Sequence, residues 1–328
     1  MTRLLRVNAA DGAVAALLAR RGAWPAPRPP VLLVPGFGQN RFTWEVGGIS
    51  LPGWLAERGH PTYVLEHRAT GLARAWGDTP APSLEALVEG DILAAVDRVF
   101  DDAGDFRVIL AGHSLGGLTS LLFASAHPDR VAGVLSLGGG FFLSRGPRFL
   151  RALALAGEPL AWTGLARRFP TASLPLGPVG AALVAFRGLL DHPWVPFPWP
   201  VWHPRSYSPQ ELRERFTSGM DRTSVGIAAE LRRGFAFDRL PTLRGEAQET
   251  VLSRVVCPVL LVHSATDALV PPAVGAPLPA LLRNSPAARL LVVGAPPEPP
   301  LGHCDLVASE GARRHVWPRL GEWLQDIA

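Results

Sequence analysis

The 328-residue sequence contains no lysine and only two cysteines. Every basic residue is therefore arginine, and the arginines are dispersed among acidic residues, so the net charge of +4 gives little support to nucleic-acid binding. Cys257 and Cys304 form neither a disulfide framework nor a metal-binding spacing, and they fit a reducing compartment. We therefore expect a cytoplasmic protein that uses no metal and no cofactor.

The sequence also has little that could target or anchor it to a membrane. The apolar residues 13–19 lead into Arg20 and Arg21 rather than into a small-residue cleavage site, which argues against a signal peptide. The longest apolar stretch, 176–190, is interrupted by Arg187 and glycines and falls short of the ~18 residues of a membrane span. With 48% hydrophobic and 18% charged residues, the composition is typical of a folded globular protein.

Short apolar, β-favouring runs alternate with helical patterns along most of the chain. Residues 3–20 predict two strands around the turn Asp11-Gly12. Further strands are predicted in 29–34, 61–67, 107–111, 131–140, 255–267 and 288–294, and helices in 51–59, 83–104, 115–126 and 313–327, the last broken near Pro318. This alternation predicts an α/β fold with a mostly parallel, doubly wound sheet.

Residues 141–250 interrupt this alternation, because they are rich in proline, arginine and tryptophan and show no pattern of a buried strand. We interpret them as an inserted, largely helical cap, and residues 1–140 and 251–328 as the core domain. Trp194, Trp199 and Trp202 are candidate substrate-binding residues, although they could equally pack the cap together.

One serine stands between a predicted strand and a predicted helix. In Gly112-His113-Ser114-Leu115-Gly116, glycines occupy the positions two before and two after the serine, where a side chain would collide in so tight a turn. This is the G-x-S-x-G pattern of a nucleophile elbow, which exposes the serine hydroxyl above the sheet. We predict that Ser114 is a catalytic nucleophile and that His113 shapes the elbow.

A serine nucleophile needs a base, and the base needs a carboxylate that fixes its tautomer. On such a sheet the order along the chain is serine, acid, histidine, each in a loop after a later strand. Asp267 follows the strand in 255–267, and His303 follows the strand in 288–294. We predict Asp267 as the acid and His303 as the base, because Asp305 is too close in sequence to reach the far nitrogen of His303 easily.

The tetrahedral intermediate of such a reaction carries a negative oxygen that backbone N–H groups usually stabilise. Leu115, directly after the nucleophile, is one expected donor. The glycine-rich loop after the first parallel strand supplies the other, and there we choose Phe37, which lies between Gly36 and Gly38.

Four segments together resemble the α/β-hydrolase superfamily: the elbow, VPGFGQN (34–40), HSATDALV (263–270) and LGHCDLV (301–307). The stretches 31–44 and 302–307 are similar to the lipase branch that contains acid lipases and polyhydroxyalkanoate synthase-like proteins. The resemblance implies the same triad, Ser114, Asp267 and His303, with Phe37 and Leu115 as oxyanion donors. Pro35 departs from the histidine common before the oxyanion glycine, and Ser114 stands where the synthases have cysteine, which favours hydrolysis over polymerisation.

We therefore expect a serine hydrolase that acts through an acyl-enzyme on carboxylic esters of hydrophobic acyl groups, with a small hydrophobic ester as its substrate. An acyltransferase or thioesterase with the same triad is an alternative, as is a non-catalytic ligand-binding protein of the same fold. The sequence identifies neither the acyl length nor the oligomeric state.

Overall fold

The computed structural model describes residues 2–22, 28–104, 107–192, 201–240 and 245–327. Strands in these ranges are β1 (Thr2–Asn8), β2 (Val14–Arg20), β3 (Val31–Val34), β4 (Glu45–Val46), β5 (Ile49–Ser50), β6 (Thr62–Glu66), β7 (Val108–His113), β8 (Val131–Leu137), β9 (Ser173–Pro175), β10 (Arg222–Ser224), β11 (Val259–Ser264) and β12 (Ala288–Val293).

Eight of these strands form one sheet in the order β1-β2-β6-β3-β7-β8-β11-β12. The first two strands make an antiparallel hairpin, and β2 pairs antiparallel with β6. All later neighbours are parallel. The doubly wound, mostly parallel sheet predicted from the sequence is therefore confirmed, and its parallel strands bring their carboxyl ends to one edge.

Helices surround this sheet and fill the long connection between β8 and β11. They are α1 (Leu51–Glu57), α2 (Leu93–Ala103), α3 (Leu115–Ala126), α4 (Arg148–Ala156), α5 (Glu158–Trp162), α6 (Leu165–Arg168), α7 (Gly177–Ala185), α8 (Arg187–Leu190), α9 (Pro209–Leu212), α10 (Val225–Phe237), α11 (Gln248–Leu252), α12 (Pro272–Gly275), α13 (Leu278–Leu281) and α14 (Trp317–Gln325).

Two hydrophobic layers cover the two faces of the sheet. Along β3, Leu32 and Val34 belong to one layer while Val31 and Leu33 belong to the other. All four side chains are fully buried, as expected for a strand covered on both faces. The continuous apolar runs in the sequence follow from this burial, because the side chains of a strand alternate between its faces.

The C-terminal helix accommodates Pro318 differently from the predicted break. Residues Ala312–Val316 form a wider helical turn, and α14 begins immediately after it with Pro318 in its first turn. A widened turn makes room for the proline ring. Because Pro318 lies in the first turn of α14, where an N–H group needs no partner within the helix, its missing N–H does not break the helix. The helix therefore continues through this position.

The segment between β8 and β11 contains mostly helices, together with one short antiparallel ladder of β9 and β10. The sequence pattern does not reveal this ladder, because strands of three residues are too short to show a period of two. Residues 218–221 of this segment reach back to the loop after β3, where Gly38 accepts a hydrogen bond from the Asp221 N–H at 2.7 Å.

Candidate active site

Ser114 occupies the turn between β7 and α3, at the carboxyl edge of the sheet. Its backbone has φ 54° and ψ −117°, a conformation that costs free energy for a residue with a side chain. The Ser114 N–H donates to the carbonyl of Leu137 at 2.8 Å, which anchors the turn to the end of β8. The strained turn holds the Ser114 hydroxyl at the wall of a cavity.

The glycines on either side of this turn are required by close backbone contacts. A Cβ atom on Gly112 would collide with the carbonyl group of Gly116, and a Cβ atom on Gly116 would collide with the carbonyl oxygen of Val34. Backbone atoms cannot move aside as a flexible side chain can. The glycine spacing in the sequence therefore reflects the close approach of α3 to β7 and β3.

A buried hydrogen bond joins the two candidate partners of the serine. The distance from His303 Nδ1 to Asp267 Oδ2 is 2.6 Å, and Asp267 Oδ1 accepts from the N–H groups of Leu269 and Val270 at 2.8 and 3.0 Å. Burial raises the pKa of Asp267, but the His303 charge and these hydrogen bonds lower it more, so the pKa lies below its usual range. The carboxylate is therefore ionised at neutral pH.

Hydrogen bonds also tie together the two loops that carry these residues. The carbonyl of Leu301 accepts from Ser264 Oγ at 2.6 Å and from Thr266 Oγ1 at 2.8 Å. The Leu301 N–H donates in turn to Thr266 Oγ1 at 3.0 Å. The loop after β11 and the loop after β12 thus form one connected unit.

The His303 ring lies between Gly138 and His113. A Cβ atom on Gly138 would lie 3.0 Å from His303 Cε1, and the ring centroids of His113 and His303 are 4.8 Å apart. His113 Nε2 lies 3.2 Å from the His303 carbonyl oxygen, which can only accept, so His113 carries its proton on Nε2. Burial, together with the charges of His303 and Arg215, lowers the pKa of His113 well below its usual value.

Ser114, His303, Phe37 and Leu115 all line one apolar cavity of about 450 Å³. Ser114 Oγ and the His303 ring share its wall, although no direct hydrogen bond joins them in the part of the chain described. The backbone N–H groups of Phe37 and Leu115 donate no hydrogen bond to the described residues either, so both remain available to a ligand. The other walls are mainly apolar side chains of α4, α10 and the loop after β11, including Leu150, Leu153, Ala228, Leu231, Phe235 and Leu269.

The structure does not bring Trp202 to this cavity. Its side chain is 4% exposed, stacks on Phe216 with 4.8 Å between ring centroids, and donates from Nε1 to Asp191 at 2.9 Å. Trp202 therefore packs in the hydrophobic layer on one face of the sheet, the layer that also contains Val31 and Leu33. Trp194 and Trp199 lie outside the described residues, so their assignment to a substrate wall stays a prediction.

Asp305 connects the loop of His303 to residues 203–206, a contact that the sequence pattern does not predict. Its Oδ2 accepts hydrogen bonds from the N–H of His203 at 2.6 Å, the N–H of Gly302 at 2.7 Å and Ser206 Oγ at 3.0 Å. Asp305 thereby fastens the loop of His303 to residues 203–206, whereas the carboxylate of Asp267 is hydrogen-bonded to the His303 ring. This contribution depends on His203 and Ser206, which lie about 100 residues away in the sequence, so no local pattern predicts it.

Arg215, also in the inserted segment, reaches the opposite loop of the site. The side chain is fully buried, and its terminal nitrogens lie 3.4 and 3.5 Å from Gln39 Oε1, two residues after Phe37. Gln39 Oε1 accepts from Thr43 Oγ1 as well, at 3.0 Å. A buried arginine thus supports the loop that carries the Phe37 N–H.

Cys304, which directly follows His303 in the sequence, has a buried thiol. Burial raises the pKa of Cys304 to about 11, so the thiol is protonated at neutral pH. No group of three or more histidine, cysteine, aspartate or glutamate side chains suited to a metal ion occurs in the described ranges. Within the same ranges, no helix has both the length and the apolar character needed to cross a bilayer.

Comparison with known proteins agrees with this architecture. A family model of the alpha/beta hydrolase fold matches residues 29–297, and the chain therefore belongs to the α/β-hydrolase family. The chain is 24% identical over 311 residues to a poly(3-hydroxyalkanoate) polymerase subunit from Allochromatium vinosum, which covers 83% of this chain and 79% of the relative. A triacylglycerol lipase from Vibrio cholerae is 33% identical over 113 residues, which covers 34% of this chain and 32% of the lipase.

Solved structures show the same fold at low sequence identity. A monoglyceride lipase from Saccharomyces cerevisiae, in complex with a substrate analogue, has a TM-score of 0.65 and 15% identity over 100% of this chain and 95% of the other. A monoacylglycerol lipase from Paleococcus ferrophilus has a TM-score of 0.60 and 20% identity over 95% and 99%. Together with the family match, these structures support the α/β-hydrolase fold of the chain.

Asp305 gives a testable pH dependence of stability. Burial raises its pKa to about 6, although hydrogen bonds from His203, Gly302 and Ser206 favour the carboxylate. The folded chain therefore holds this proton more tightly than the unfolded chain, whose aspartate titrates near 3.8. The stabilising contribution of the bound proton is complete below pH ~4 and is lost as the pH rises from ~4 to ~6.

Asp305→Asn should remove this pH dependence, because asparagine does not titrate. Relative to the variant, the wild-type free energy of unfolding should fall by about 2–3 kcal/mol between pH 4 and pH 6, as urea denaturation at a series of pH values can measure. The exposed Asp129 offers a control, and Asp129→Asn should track the wild type. Parallel pH profiles for wild type and Asp305→Asn would show that Asp305 is not titrating in this window.

Proposed function

We propose that the protein is a serine hydrolase that cleaves carboxylic esters of hydrophobic acyl groups through an acyl-enzyme. The observation that carries this proposal is the buried 2.6 Å hydrogen bond between His303 and Asp267, with the His303 ring at the wall of the apolar cavity that Ser114 also lines. The order serine, aspartate, histidine after successive strands is the order of α/β-hydrolase triads.

In the proposed reaction, Ser114 Oγ attacks the ester carbonyl while His303 Nε2 takes the hydroxyl proton. The bond from Nδ1 to Asp267 leaves Nε2 free for this step and stabilises the imidazolium that forms. His303 then returns the proton to the leaving alcohol as the carbon–oxygen bond breaks. Water, activated by His303 in the same manner, releases the acid and regenerates Ser114.

The negative oxygen of each tetrahedral intermediate would accept hydrogen bonds from the Phe37 and Leu115 N–H groups. Both residues line the cavity beside Ser114, and neither N–H donates to the described part of the chain. Donors that are fixed before the reaction stabilise the developing charge without reorganisation, which contributes roughly 3–4 kcal/mol for one donor in other hydrolases.

The inserted segment would act as the cap that encloses the acyl chain. Leu150 and Leu153 of α4 and Leu231 of α10 face the cavity opposite the sheet edge, so an acyl chain bound to Ser114 would lie among apolar side chains. This placement favours hydrophobic acyl groups over charged ones. Two unpaired, buried cysteines support a reducing, cytoplasmic location.

Acyl transfer is the second candidate, and the similarity to the polymerase subunit across 83% of the chain favours it. The acyl-enzyme would be the same, but an alcohol or thiol rather than water would attack it. Product analysis with a range of alcohols in the reaction distinguishes the two, because a transferase forms new ester at low acceptor concentration.

Ser114→Ala should abolish covalent labelling by a fluorophosphonate and lower ester turnover by several orders of magnitude, since triad members act as a unit. In-gel fluorescence and a p-nitrophenyl ester assay measure the two effects. Ser120, which is buried on α3 and bonded to the Gly116 carbonyl, gives the matched control, and Ser120→Ala should still be labelled. Labelling retained in Ser114→Ala would contradict the assignment, and a folded wild type without labelling or turnover would support a ligand-binding protein.

Ala228→Phe should shorten the longest acyl chain that the wild type uses well, because Ala228 lines the cavity and the new ring would fill part of it. In the wild type, kcat/KM should rise by up to about fourfold per added methylene until the cavity is full. The neighbouring Ala229 does not line the cavity, so Ala229→Phe is the control and should keep the wild-type profile. Identical chain-length profiles for all three proteins would place the acyl group elsewhere.

A further inference from the structure

An exposed apolar surface covers the part of the inserted segment formed by α4, α5 and α6. It comprises two leucines of α4, the tryptophan that ends α5, a leucine of α6 and the phenylalanine after it: Leu153, Leu155, Trp162, Leu165 and Phe169, which are 62%, 41%, 83%, 46% and 50% exposed. Successive helices of the three contact each other, and α10 contacts both α4 and α6. We call this the α4–α6 surface. Exposed apolar side chains gathered in this way indicate an interaction site.

The charges on this surface have one sign. Arg148 and Arg151 of α4 and Arg167 and Arg168 of α6 are exposed, and none of them forms an ion pair with a described carboxylate. The one acidic residue between 148 and 169 is Glu158, which is bonded to Arg232 at 2.7 Å. The apolar side chains are therefore accompanied by guanidinium groups without a carboxylate partner among the described residues, and one of them, that of Arg168, lies 5.7 Å from the ring centroid of Phe169. Such groups complement the phosphates of a lipid surface.

The α4–α6 surface is also continuous with the cavity. Leu153 is 62% exposed and lines the cavity as well, and its neighbours Leu150 and Ala154 on α4 line it too. An acyl chain that leaves a lipid layer at this surface would pass along α4 towards Ser114 without crossing bulk water. Tryptophan and arginine side chains suit such a position, because each combines an apolar body with a polar end.

We propose that the α4–α6 surface docks on an anionic phospholipid bilayer and that lipid esters enter the cavity from there. The docking step rests on the exposed apolar side chains, on the arginines that have no described carboxylate partner, and on Leu153, which belongs to both the surface and the cavity. The delivery of an ester rests on the proposed hydrolase function. The two are separable, because docking needs no chemistry at Ser114.

Sedimentation of the full chain with vesicles tests the docking step. Wild type should bind vesicles of phosphatidylcholine with 30% phosphatidylglycerol, bind phosphatidylcholine alone at least roughly tenfold less tightly, and lose binding as salt screens the charges. The double variant Arg151→Gln/Arg168→Gln should bind the anionic vesicles roughly 20-fold less tightly, and Trp162→Ala several-fold less tightly. Both should hydrolyse a short, water-soluble ester at the wild-type rate, which shows that they are folded.

Controls on the two edge strands of the sheet isolate the surface. Leu4→Ala on β1 and Arg289→Gln on β12 change exposed residues of the same kinds and should bind as the wild type does. Ser114→Ala should also bind normally, so that failure of the hydrolase proposal would leave this readout intact. Equal binding to both vesicle types, or equal binding by all variants, would overturn the docking proposal. So would a dimer in sedimentation velocity that Trp162→Ala dissociates, since the surface would then be an interface between two copies.

Discussion

The arrangement of the site depends on the buried hydrogen bond between His303 and Asp267. It joins the loops after the last two strands of the sheet. Hydrogen bonds from the hydroxyls of Ser264 and Thr266 to the Leu301 carbonyl make a second connection beside it. With the carboxylate on Nδ1, the other imidazole nitrogen is left for proton transfer. A serine hydroxyl is a weak nucleophile unless a neighbouring base accepts its proton. The strained turn of Ser114, the glycines around it and the parallel sheet place Ser114 and His303 at the wall of one cavity.

The inserted segment does more than cover this cavity, because it supports both loops on which the proposed chemistry depends. Asp305 holds the histidine loop to residues 203–206, while Arg215 and the backbone of 218–221 hold the loop of Phe37. Both Asp305 and Arg215 are fully buried. Removing the hydrogen-bond partners of either side chain would leave a buried polar group unpaired, which would destabilise the fold considerably. The two loops that carry His303 and Phe37 are therefore both held by contacts with the segment between β8 and β11.

Local patterns were enough to predict the sheet, the strand-to-helix turn at Ser114 and the loops that carry Asp267 and His303. Parallel strands covered on both faces leave continuous apolar runs, and the close approach at Gly112 and Gly116 leaves glycine at a fixed spacing. The contacts of Asp305 with His203 and Ser206, and that of Arg215 with Gln39, could not be predicted, since these partners lie about 100 or more residues away in sequence. The position of the Trp202 side chain could not be predicted either, because the sequence does not distinguish a tryptophan in a core from one in a substrate pocket. The ladder of β9 and β10 is too short to produce any pattern.

The rate of inactivation by a fluorophosphonate in Asp267→Asn, compared with Asp305→Asn, tests the central claim most directly. Asparagine at 267 would donate to Nδ1 and favour the wrong imidazole tautomer, so the rate should fall by about 10⁴-fold, as in other serine triads. Asparagine at 305 keeps an acceptor for its backbone donors and should lower the rate far less. Circular dichroism of both variants verifies that they are folded. A folded Asp267→Asn that reacts at the wild-type rate, or a greater loss in Asp305→Asn, would contradict the account.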